Sequence, residues 1–194
     1  MTETRSTRDA LLDAAYDAVV AGEWHTARML DVARAAGVSR QTLYNEFGSK
    51  DALAQALAMR EAQRFLDGTE RTLDEVHPTA PAEAVRAATE YTLREAADNP
   101  LLKAVLTDAT SDLLPFVTTR SDLILAAARE QIESYWREHW PEIPADDMEL
   151  ASELVPRLTM SYLVLPSDGP DSSAEAVADR LAQLVEKLLM KGSS

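Results

Sequence analysis

Cysteine is absent from these 194 residues, which excludes disulfides, thiolate nucleophiles and cysteine-ligated zinc, and fits a reducing compartment. Histidine is scarce as well. The three histidines, His25, His77 and His139, are scattered, and no Glu-x-x-His pair suited to a helical metal site occurs. The nearest approach is Asp74-x-x-His77, a single pair at a helix end beside Pro78. With no Gly-rich phosphate loop either, no catalytic residue, metal or cofactor is expected, and an enzyme is the poorest reading of the chain. No apolar run approaches the ~18 residues of a membrane span. Asp9, Asp13 and Asp17 break up the early apolar stretch, so neither a secretory signal nor a membrane partner is expected, and the expected location is cytoplasmic. Strand-like alternation and internal repeats are missing too, which leaves an all-α fold.

Basic charge is also in short supply, with 19 Lys and Arg against 33 Asp and Glu and a net charge of −14. Phosphate neutralisation needs cations, so this balance argues at first against a nucleic-acid partner. Its distribution removes the objection. Residues 1–65 hold eight Lys or Arg against nine Asp or Glu, whereas residues 66–194 hold eleven against twenty-four. Arg5, Arg8, Arg28, Arg40 and Lys50 cluster in the near-neutral part, and the acidic remainder reads as solvated helix faces.

What is present is helical periodicity. Residues 8–21 repeat apolar side chains at Leu11, Leu12, Ala15, Val19 and Val20. From Ser49 a pattern runs without a breaker to Gly68 or Val76, long enough to join two domains; a division into 1–52 and 53–194 is expected. His77-Pro78 marks a loop, Pro81 with Glu83 starts a helix running to Asp98, and Asn99-Pro100 opens another to Asp108. Residues 113–116, LLPF, read as an apolar turn facing something hydrophobic, and residues 121–139 as a long helix.

Residues 38–50, VSRQTLYNEFGSK, carry the functional signal. In the preceding residues 31–37, Val32 and Ala36 fall on one helical face and Gly37 can take the left-handed conformation that ends a helix. Ser39 suits the next N-cap and Ser49 the one after. Two short helices about a glycine turn make a helix-turn-helix, whose second helix is the one able to enter a major groove. On that helix Leu43 and Phe47 are spaced to anchor it, while Gln41, Tyr44 and Asn45 share the outward side. Gln and Asn amides match the edge of adenine, Arg40 can fork onto guanine or phosphate, and Thr42 and Tyr44 can reach phosphate or a thymine methyl. Lys50, beside the free N–H groups of the next helix, is expected at a phosphate.

The last two helical segments are rich in apolar residues. Leu150, Leu154, Leu158, Tyr162 and Leu165 form one stripe, with Pro156 inside it, and Ala174 to Met190 presents Val177, Leu181, Leu184, Val185 and Leu188. An internal core and a subunit interface would show the same periodicity. Read as an interface, Leu158, Leu165, Val177, Leu181, Leu184 and Leu188 would pair with a second copy in an isologous four-helix contact.

Gly22 followed by residues 31–53, DVARAAGVSRQTLYNEFGSKDAL, resembles the DNA-binding signature of the tetracycline-repressor-like (TetR-like) bacterial transcription regulators. The resemblance implies an N-terminal three-helix helix-turn-helix domain joined by a long helix to a larger helical bundle that binds a ligand and dimerises. It implies double-stranded DNA with a palindromic operator as one partner, read by a homodimer, and a small-molecule effector as the other. Two departures stand out. Glu46 replaces a common histidine, and since its carboxylate would repel phosphate it is expected away from DNA or paired with Arg40 or Lys50. Ala27 stands where threonine is common, so Thr26 is expected to cap the first helix of the pair and Arg28 to take the phosphate contact.

The implied pocket lies within residues 80–165, with Leu102, Leu106, Leu113, Phe116, Ile124 and Tyr162 as walls and Tyr91, Arg129 or Asn99 as polar handles, although each of these residues also reads as plain core. Its apolar character points to a hydrophobic effector that releases a repressor. The alternative is a dimeric helical scaffold or ligand-binding protein with weak or lost DNA affinity, suggested by Glu46 and the acidic balance.

Overall fold

The computed structural model describes residues 6–107, 112–166 and 172–191, and all of its regular structure is helical. In chain order the helices are α1 (Thr7–Val20), α2 (Met29–Ala35), α3 (Arg40–Phe47), α4 (Lys50–Val76), α5 (Pro81–Asp98), α6 (Pro100–Thr107), α7 (Leu114–Val117), α8 (Asp122–His139), α9 (Ala145–Val164) and α10 (Ala174–Lys191). Local chemistry sets the boundaries. His77 takes a φ of 50° and donates its N–H to the Leu73 carbonyl, and Pro78 after it cannot continue the helix, so α4 stops there. Thr79 gives both its N–H and its hydroxyl to Glu83, which closes the start of α5, and those bonds hold the Glu83 carboxyl below the usual range. The expected α5 matches the observed one, and the LLPF turn is in fact the short helix α7 behind Pro115. α9 continues through Pro156. Asp168-Gly169-Pro170, which the sequence offers as a turn between the last two helices, lies outside the described residues, as does Arg5.

The chain forms two compact units, and they do not follow the expected division at 52 and 53. One comprises residues 1–61 and 99–119, the other 62–98 and 120–194. In the first, Leu11, Leu12, Ala15 and Val19 of α1 meet Val32 and Ala33 of α2, Leu43 and Phe47 of α3, and Leu53 and Leu57 of α4. Leu101 and Val105 of α6, with Leu113 and Phe116, complete that core, and α6 lies against α1. Arg60 closes it at the edge, bonded to the Asp13 carboxylate at 2.6 Å and the Leu12 carbonyl at 3.2 Å.

The second unit packs α5 along α10, and α9 against α5, α8 and α10. Its core joins Leu73, Val85, Trp136, Trp140, Met148, Ala151, Val155, Val177, Leu181 and Val185. Burial of such side chains is worth roughly 1.5–3 kcal/mol each before chain entropy is counted. Glu133 on α8 binds Arg129 and Arg137 of its own helix and accepts the buried Ser152 hydroxyl of α9 at 3.1 Å. Arg129 above all holds the Glu133 carboxyl below the ordinary carboxylate range.

Gly68 has a packing reason to be glycine. A Cβ there would stand 1.8 Å from the Tyr91 hydroxyl and 2.4 Å from its Cζ. Alanine ordinarily gains ~0.5–1 kcal/mol over glycine within a helix. Here Gly68→Ala should instead lower the thermal midpoint, costing about 1–2 kcal/mol as the phenol is pushed aside. A Gly68→Ala, Tyr91→Ala double variant should be no less stable than Tyr91→Ala alone; a raised midpoint for Gly68→Ala would contradict the contact.

Candidate nucleic-acid interface

α2 and α3 are joined through Gly37, whose φ of 70° turns the chain at no steric cost. Val38 follows, and its N–H returns to the Ala33 carbonyl, fixing the entry to α3. Ser39 then caps α3 by accepting the Thr42 N–H at 3.0 Å, and the two hydroxyls lie 2.8 Å apart. Gly48, φ 73°, ends the helix, and Ser49 accepts the Ala52 N–H to start α4. Every cap read from the sequence in this stretch is present. Leu43 is completely buried and Phe47 nearly so, which seats the inner side of α3 on the core of its unit.

The outer side carries Gln41, Tyr44 and Asn45, all exposed. The Gln41 amide donates to the Asn45 carbonyl oxygen at 2.8 Å, so the two amides are held one turn apart as a pair. Each retains donor and acceptor capacity, the pattern that matches N7 and N6 of adenine. The Arg40 guanidinium lies over the Tyr44 ring, 5.1 Å from its centroid, and steadies both at the start of the helix. Ser39, Arg40, Gln41, Thr42, Tyr44 and Asn45 therefore come together on one short element. The Ser39 and Thr42 hydroxyls are engaged in the cap, while Arg28 is exposed at the head of α2.

Three expectations are corrected. Thr26 does not cap α2: its hydroxyl bonds back to the Glu23 carbonyl, and the Arg28 N–H to Asp31 carboxylate bond closes that helix instead. Lys50 does not stand free for a phosphate. Its ammonium donates to the Trp24 carbonyl at 2.6 Å, lies 3.5 Å from Asp112 and sits over the Trp24 ring, so it ties the stretch before α2 to the start of α4. Glu46 pairs with neither Arg40 nor Lys50. Arg8 of α1 reaches it at 2.8 Å and covers the Phe47 ring at 4.8 Å. Thirty-eight residues separate the partners, and no helical spacing could have announced them.

The expected pocket set is split between the units. Leu102, Leu106, Leu113 and Phe116 belong to the first and Tyr91, Ile124 and Tyr162 to the second. Leu113 and Phe116 are buried, and both belong to the core cluster that α1–α4 and α6 share. Among the polar handles, Asn99 caps α6 through the Leu102 N–H, and Arg129 is bound to Glu133 and Glu149. Tyr91 is part-buried, which pushes its phenol pKa up. Tyr162 packs on the second core under Arg180.

The interface set divides similarly. Val177 and Leu181 are buried inside their own unit, because α10 turns that stripe toward α5 and α9; Leu158 and Leu188 are part-buried beside them. Leu184 and Leu165 stay exposed at 43% and 78%, as does Leu150 of α9 at 44%. Among the described residues no helix is long and apolar enough to cross a membrane, and no group of His, Asp or Glu is arranged to hold a metal.

Comparison with known proteins places these units in context. Residues 11–57 match the family described as bacterial regulatory proteins, tetR family, and residues 81–186 match the bacterial tetracyclin repressor C-terminal domain. The chain is 36% identical over 179 residues to the HTH-type transcriptional regulator AlkX of Mycobacterium tuberculosis, covering 92% of this chain and 82% of that protein. The crystal structure of the TetR family repressor AlkX from a Dietzia strain, implicated in biodegradation of n-alkanes, superposes with a TM-score of 0.74 at 30% identity, over 95% of this chain and 97% of the other. Salmonella enterica GusR, 24% identical with a TM-score of 0.60 over 98% of each chain, shares the fold.

Proposed function

The chain belongs to the TetR family of bacterial DNA-binding transcription regulators, which are not enzymes, and from that premise we propose that it is a cytoplasmic homodimeric repressor, released from a palindromic operator by a small hydrophobic molecule. The carrying observation is the exposed, pre-arranged face of α3, with Gln41 and Asn45 bonded to each other above a fully buried Leu43. A face already ordered loses little side-chain freedom on docking. Ser39, Arg40, Thr42 and Arg28 are the phosphate-side candidates around it, and Lys50 acts by holding the frame of the reader.

A homodimer is supported by Leu150 of α9, Leu165 just after it and Leu184 of α10, apolar side chains that one protomer leaves exposed. Two-fold symmetry would set two α3 helices toward successive major grooves about 34–36 Å apart. Repression and a hydrophobic effector are supported by the AlkX repressor from Dietzia, which is implicated in biodegradation of n-alkanes. A route for release is supported by connectivity. Residues 99–119 belong to the unit of the reader, while the chain on both sides of them belongs to the other. An effector that binds one arrangement of that chain better than another shifts the population of readers that fit the groove spacing.

Selection of DNA from a randomised library, followed by band-shift titration, tests the reading. Tyr44→Ala should weaken binding to the selected site about tenfold with an unchanged thermal midpoint. Gln41→Ala should change which base is preferred, removing roughly 1–3 kcal/mol of discrimination at one position of each half-site. An unchanged preference removes Gln41 from the reader. Release by polar metabolites alone, with long-chain alkanes and acyl compounds inert, overturns the hydrophobic effector.

A further inference from the structure

Glu46 is the one acidic residue of α3, and the base and phosphate contacts proposed for that helix do not involve it. On a helix whose inward line runs through Leu43 and Phe47, it lies on a flank of the outward face, beside Thr42 rather than under Gln41 and Asn45. A carboxylate there repels an approaching phosphate. The structure answers this charge with one residue. Arg8 crosses from α1, donates from its guanidinium to Glu46 at 2.8 Å, and lays the same guanidinium over the Phe47 ring at 4.8 Å. Both side chains face solvent, at 50% and 36% exposure, so the bond does little for stability. Its placement has a different effect. It makes the flank of the reader electrically neutral where either residue alone would leave a full charge, and a guanidinium has five N–H donors of which this bond uses one.

We propose that Arg8 and Glu46 together set the electrostatic affinity of the reader: Glu46 is a brake on binding to the DNA backbone, and Arg8 is the cation that balances it and contacts phosphate beside α3. The pair rests on the DNA-reading function proposed above. Because it carries no base-edge contact, it tunes affinity for all sequences alike and leaves the preferred site to Gln41 and Asn45. It also explains how an acidic residue is tolerated on α3 at all.

Salt titration separates this role from a structural one. Binding to backbone phosphates falls linearly in log K against log salt, by ~0.9 for each phosphate neutralised. Glu46→Gln should tighten binding to the library-selected DNA roughly five- to tenfold per reader near ~0.1 M salt and steepen the slope by about 0.9. Arg8→Met, which keeps an apolar cover on Phe47, should weaken binding by a similar factor and make the slope shallower. The double variant should return close to the parent slope. Thermal midpoints of all three are measured alongside, and Glu46→Gln reads the same quantity without touching α1. Parent slopes in both single variants, with affinity falling in each, show a merely structural tie and overturn the proposal. A parent that binds no DNA in a salt-dependent way overturns the DNA-reading function and this pair with it.

Discussion

Leu184→Glu is expected to leave each protomer folded and to lower operator affinity by at least about a hundredfold. α10 already buries Val177, Ala178, Leu181 and Val185 inside its own unit, so the fold does not depend on Leu184, which is 43% exposed. In a monomer a glutamate at such a position costs little, typically within about 0.5 kcal/mol. In an isologous contact the same substitution appears twice about the symmetry axis, and two carboxylates must be desolvated together. The proposed dimer should fall apart at micromolar concentration. A lone reader would then hold only half of the proposed palindrome, and the gain from tethering a second binding event would be lost. Light scattering and band-shift titration measure the two halves of this expectation. A dimer mass for the variant removes this face as the interface, and a monomer that still binds the full site tightly removes the need for a dimer.

The second large effect is at Leu43. It is completely buried, and it fixes α3 to a core shared by α1, α2, α4 and α6. Leu43→Ala deletes that anchor and leaves a cavity, at a cost of about 2–5 kcal/mol. A helix of eight residues has no independent stability, so its amides should lose hydrogen-exchange protection first. DNA binding should disappear well before the chain unfolds. The contrast with Tyr44→Ala is informative: that variant loses a contact and keeps its helix, whereas this one keeps every contact residue and loses the platform under them. Full protection of α3 in Leu43→Ala would contradict the assignment of Leu43 as the anchor.

The reader was legible because its determinants are local. Gly37, Ser39 and Ser49 act on atoms within four residues of themselves, and Leu43 with Phe47 gives the inward line of one helix. The ends of α5 were legible for the same reason, since Thr79, Pro81 and Glu83 close its first turn. What escaped depends on distant partners. Periodicity showed that Leu113 and Phe116 avoid water, but apolar side chains do not specify what covers them, and in the structure both join the core cluster of α1–α4 and α6. Val177 and Leu181 share a stripe with Leu184, yet only the packing of α10 against α5 and α9 separates buried from exposed. Charges are the hardest to assign, because a long flexible side chain can choose among several partners. Lys50 took two backbone carbonyls near Trp24, and Glu46 took an arginine from another helix.

The base on which α3 rests is assembled from two stretches of chain, residues 1–61 and 99–119, with 37 residues of the other unit between them. A gene truncated after Glu61 would therefore encode the whole recognition surface but not α6, which lies against α1, nor the Leu113 and Phe116 side chains that complete the shared core. Its product would expose the apolar flank that Leu101, Val105, Leu113 and Phe116 cover in the intact chain, and aggregation is the expected fate. Grafting this specificity onto another effector domain accordingly calls for transplanting both stretches, or for a replacement helix that supplies the same four side chains.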